Sequence, residues 1–156
     1  DFCSDQSGVL QVNSGLCDGT GSPAVKAANY YKWTSPQASQ QTYSIFVSYQ
    51  LPTTFKGFSS DTTVNLTGRV DSTTNAAVTY EMFRSEGGTV YACGTETTVT
   101  TSNNTWQTVG INGNESSGCG FSTSSAGATV IFKINVKANS NANAHVGNLS
   151  FTTTGR

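Results

Sequence analysis

Charge is what this sequence has least of: Asp, Glu, Lys and Arg make up 11% of its 156 residues, against roughly 25% in an ordinary soluble domain. The eight basic and nine acidic residues leave a net charge of -1, with no run of either sign. Nucleic-acid binding needs a concentrated basic stripe to neutralise phosphates, so that partner is excluded. Anionic membrane surfaces are disfavoured on the same ground. No apolar stretch approaches the roughly 20 residues a helix needs to cross a bilayer, which excludes membrane insertion. There is one histidine, His145, and neither a C-x-x-C unit nor a G-x-S-x-G elbow. A Ser-His-Asp arrangement and a zinc site therefore lack their usual parts, and His145 reads as a surface or packing residue. Glycoside hydrolysis needs two carboxylates flanking one bond, and no pair among the nine stands out. No enzyme activity and no cofactor are expected. Asp61 and Asp71 flank a strand and would serve calcium only with loop carbonyls; capping turns is the plainer reading, and no metal site is assigned.

What fills the gap is Thr, Ser, Asn and Gly, a composition that fits a surface-exposed β protein outside the cell. Four cysteines, Cys3, Cys17, Cys93 and Cys119, fall into two distant pairs. Of the three pairings allowed, Cys3–Cys17 with Cys93–Cys119 is the economical one, and it points to an oxidising compartment. The chain opens at Asp1 with neither a leader nor an initiator Met, which predicts a mature product whose signal has been removed. Asn65, Asn103, Asn114 and Asn148 each begin an N-x-[ST] sequon. They predict a glycoprotein only in a host that glycosylates, and several such triplets arise by chance in so Asn- and Thr-rich a chain.

Apolar residues recur with period two and not at helical spacing. Gln41–Gln50 alternates Tyr43, Ile45, Val47 and Tyr49 with polar residues, and Phe46 breaks the pattern as if both faces were covered. Val64, Leu66 and Val70 share one face, as do Ala76, Val78, Tyr80 and Met82. Thr129–Lys137 gives the cleanest strand, with Val130, Phe132, Ile134 and Val136 facing in. Eight or nine strands without a helix predict an all-β, two-sheet antiparallel β-sandwich, jelly-roll-like, with an irregular N-terminal segment. Residues 1–27 are an extension holding one short strand, and 28–156 are the sandwich domain.

Two stretches carry the functional reading. Val9, Leu10 and Val12 form a short β segment tethered by a Gly/Ser-rich stretch, able to add to the open edge of a neighbouring subunit or to pack on its own domain. Head-to-tail strand addition would build an open filament. Tyr31 and Trp33 share one face of a strand, and exposed aromatic rings stack on sugars. The main expectation is a non-enzymatic extracellular structural protein, a self-associating subunit of a filament, pilus or fibre. The alternative is a carbohydrate-binding module or adhesin domain meeting surface glycans.

A resemblance bears on both. Ser44–Gln50 followed by Leu51-Pro-Thr-Thr-Phe55-Lys-Gly-Phe58, then Thr105–Ile111 and His145–Phe151, resembles strands of small secreted jelly-roll domains. Such domains occur in bacterial surface and fibre proteins, phage appendages and carbohydrate-binding modules. The resemblance covers residues 41–152. It implies a sandwich with a non-catalytic role at a cell or virion surface, and transfers no binding residues.

Overall fold

The computed structural model describes residues 9–13, 30–58, 64–111, 120–121, 125–151 and 153–154, with backbone alone for 9–13, 58, 111, 151 and 153–154. Along the chain the strands are β1 (Val9–Asn13), β2 (Tyr30–Thr34), β3 (Gln41–Gln50), β4 (Gly57–Phe58), β5 (Val64–Val70) and β6 (Ala76–Glu86). They continue with β7 (Thr89–Ala92), β8 (Thr97–Thr98), β9 (Gln107–Ile111), β10 (Thr129–Ala138), β11 (Asn143–Phe151) and β12 (Thr153–Thr154). Two antiparallel sheets stack face to face. The first has the order β1-β2-β11-β5-β9 and the second β3-β10-β6-β7, with β8 also paired to β6. β4 and β12 form a small third pair.

The order follows from the patterning. β10 is the middle of the second sheet, pairing along its whole length with both β3 and β6. Its inward row, Val130, Phe132, Ile134, Val136 and Ala138, is buried against the first sheet, because β-branched and aromatic side chains fill a pleated face without exposing polar atoms. The rows predicted on β5 and β6 are buried likewise, and Leu51 and Phe55 anchor the connection between β3 and β4 in the same core. Each buried Val, Leu, Ile, Phe or Met among them contributes roughly 1.5–3 kcal/mol relative to an exposed position. The hairpin from β6 to β7 turns on Gly87 and Gly88, both with positive φ (57° and 84°), as a two-residue loop of matching twist requires.

Two expectations change here. Phe46 does not mark a strand covered on both faces: its side chain is 64% exposed on the outer surface of the second sheet. β3 is an edge strand and nothing described lies over that surface. The N-terminal strand is not a loose arm in this structure. Val9–Asn13 pairs with Thr34–Tyr30 of its own chain, as the outermost strand of the first sheet.

Candidate functional site

β2 sets the geometry of the site. Successive residues of a strand face opposite ways, so Tyr31 and Trp33 point between the sheets while Tyr30 points outward. Trp33 is 1% exposed; its ring lies 5.4 Å from that of Tyr43, and its Nε1–H donates to the Gln41 carbonyl at 3.3 Å. Sealed in this way it offers no face to a ligand, so the expected stacking pair divides. Tyr31 remains 41% exposed and stands at the mouth of a cleft of about 500 Å³ between the sheets.

Both sheets build the cleft. β10 packs over β2 and β11, and β6 over β11 and β5, which leaves the inward row of β3 only half-buried. Ile45 and Val47 from that row form one wall, and Leu149 of β11 stands opposite. Ile134 and Val146, both nearly fully buried, make the floor. A bulge in β11 shifts its register against β5 between Val146 and Leu149, taking Gly147 and Asn148 out of the pairing. Asn148, freed by the bulge, and Ser150, still paired with Asn65, are exposed and line the same cleft as Tyr31. No described residue lining the cleft is charged. Its described lining offers apolar walls, an aromatic ring and the polar residues Asn148 and Ser150, and among those residues no base to activate a nucleophile.

The remaining candidate residues lie elsewhere. The backbone of Val9, Leu10 and Val12 is hydrogen-bonded to β2. Cys93 is buried and disulfide-bonded, while Cys3, Cys17 and Cys119 fall outside the described residues. Among the sequons, Asn65 sits in mid-β5 opposite Gly110 and Ser150, and Asn103 accepts the Thr73 N–H at 2.7 Å. Asn148 is the rim residue already described, and Asn114 lies outside the described residues. Asp71 is tied to Asn143, which donates to its carboxylate, and to Arg69 at 3.9 Å; Asp61 is outside the described residues.

Three features escape sequence reasoning. His145 takes the packing role of the two expected for it, but its partners are not legible in the sequence: it is buried edge-on to Tyr30 at 5.3 Å with Trp106 beyond at 6.1 Å, in a small aromatic cluster on the outside of the first sheet. On the outside of the second sheet, Glu96 accepts hydrogen bonds from Thr79 (2.6 Å), Asn135 (2.6 Å) and Lys137 (2.8 Å). Burial pushes its carboxyl up, but these donors and the Lys137 charge more than offset that and bring it down to about 2. The third is the cleft itself, which arises from a bulge that no local pattern announces.

The two stacked sheets define an all-β, jelly-roll-like β-sandwich. Over 99% of this chain and 86% of the other, the fold is similar to that of a family 61 carbohydrate-binding module in complex with β-1,4-galactotriose, at 9% sequence identity and a TM-score of 0.54. Weaker likenesses extend to the family 11 carbohydrate-binding module of cellulase Lic26A-Cel5E of Clostridium thermocellum (13% identity, 99% and 87% of the two chains, TM-score 0.42). They also include the enzymatically active domain of bacteriophage CBA120 tailspike protein 4 (10% identity, 94% of this chain and 18% of the other, TM-score 0.47). No protein-family model and no curated protein matches the sequence.

Proposed function

We propose that this chain is an extracellular, non-catalytic carbohydrate-binding domain whose ligand site is the cleft beside Tyr31. One observation carries the reading: a half-exposed tyrosine borders an uncharged cavity and has an amide and a hydroxyl at its side. A sugar ring has an apolar face and a polar edge. It stacks on the ring of Tyr31 while its hydroxyls meet Asn148 and Ser150. The β-galactan oligosaccharide bound by the family 61 module is the first ligand to try, since the fold is shared over nearly the whole chain. The pairings Cys3–Cys17 and Cys93–Cys119 belong to the same reading of a secreted domain. The filament-subunit expectation gains no support, because β1 is engaged with its own sheet.

The test is a panel of soluble neutral polysaccharides, screened by affinity electrophoresis and quantified by calorimetry. Wild-type protein is expected to bind at least one of them. Tyr31→Ala should weaken that binding about 10-fold, equivalent to about 1.4 kcal/mol, with an unchanged melting temperature. Binding indifferent to Tyr31→Ala, or none across the panel, defeats the proposal.

A further inference from the structure

The cleft is polar only at its rim. Tyr31, Asn148 and Ser150 are exposed to water, whereas Ile134 is 3% and Val146 2% exposed at the floor, between walls of Ile45, Val47 and Leu149. Those five side chains offer no donor or acceptor. A sugar hydroxyl pushed to that depth would lose its water and gain no partner, at a cost of roughly 1–3 kcal/mol for each group. A ring decorated only with hydroxyls therefore fills the rim and leaves the apolar depth unused.

From this division we infer that the cleft selects uncharged sugars carrying a small methyl-bearing substituent, the methyl of an acetamido group or of a 6-deoxy carbon. The inference rests on the proposed glycan site. In the bound state the ring lies against Tyr31, and its hydroxyls meet Asn148 and Ser150. The methyl enters between Val47 and Leu149 toward Ile134 and Val146. An acetamido N–H and C=O remain at rim height, within the zone of the Asn148 amide. Charged substituents are refused, because no described lining residue carries a compensating charge.

Three matched sugars test this: D-galactose, 6-deoxy-D-galactose and N-acetyl-D-galactosamine, each titrated against the full chain by NMR with saturation-transfer readout. At least one methyl-bearing sugar is expected to bind about 4-fold or more tighter than galactose, from about 0.8 kcal/mol for each buried carbon. Saturation should be strongest on its substituent methyl. The two methyl-bearing arms separate an acetamido preference from a deoxy preference. Val47→Thr keeps the wall's volume and adds a hydroxyl, so it should reduce the advantage while the melting temperature holds. Equal affinities for all three, or saturation stronger on the ring than on the methyl, overturn the inference and leave the glycan site standing. If none of the three binds, the inference falls, and a negative polysaccharide panel would remove the proposed function with it.

Discussion

Trp33 and Tyr31 stand two residues apart on one face of β2, yet the layer between the sheets is closed around the first and open around the second. The difference lies in what meets them. Trp33 is opposed by the ring of Tyr43, and its neighbour in register on β11 is Ala144, small enough to admit an indole. One step along β3 the inward side chains shorten to Ile45 and Val47. On β11 the bulge after Val146 removes the next two residues from the ladder. Space closed by two aromatics at one end is left unfilled at the other. The pair shows how one alternating pattern gives a sealed core anchor and a half-exposed ring from adjacent inward positions, with the choice made by residues on two other strands, β3 and β11.

Removing the sealed member should give the largest effect. Trp33→Ala is expected to cost about 3–5 kcal/mol in urea unfolding, since a buried indole leaves a cavity the surrounding strands only partly refill. A loss within 1 kcal/mol would mean that the closed end is not closed. Acid provides a smaller and separate effect, on the outer surface of the second sheet. The folded-state pKa of Glu96 is depressed from 4.5 to about 2, so its contribution is fully present above the upper value and is lost as pH falls through that window. Solvent screening of the partly exposed pair with Lys137 limits the effect to about 1 kcal/mol. Unfolding compared at neutral and acid pH should show Glu96→Gln losing less stability on acidification than wild type; equal losses would remove Glu96 from the account. The smallest effect is expected at the open end, where Tyr31→Ala should change stability by no more than about 0.5 kcal/mol while weakening glycan binding.

Much of the fold could be read from the sequence, because β5, β6 and β10, and β3 apart from Phe46, announce their inward rows by alternation. The β3 boundaries, Gln41 to Gln50, match those observed. Phe46 misled because alternation tells which residues share a face and not whether that face is covered; coverage depends on a further layer packing over the second sheet, and nothing described does so. The site was half legible. Sharing a face with Trp33 put Tyr31 on the inward side of β2, but burial of one and exposure of the other depend on Tyr43, Ala144 and the bulge at Gly147–Asn148, which belong to other strands. The partners of His145 escaped for a similar reason: Tyr30 and Trp106 come from two other segments.

Methyl-resolved NMR of the protein titrated with its best-binding glycan tests the central claim most directly. The account predicts that shifts concentrate on the methyls of Ile45, Val47, Ile134, Val146 and Leu149, while those of Val78 and Val99 in the closed core stay still. Shifts gathered instead around Phe46 on the outer surface of the second sheet, or on the cluster of Tyr30, Trp106 and His145, would contradict it.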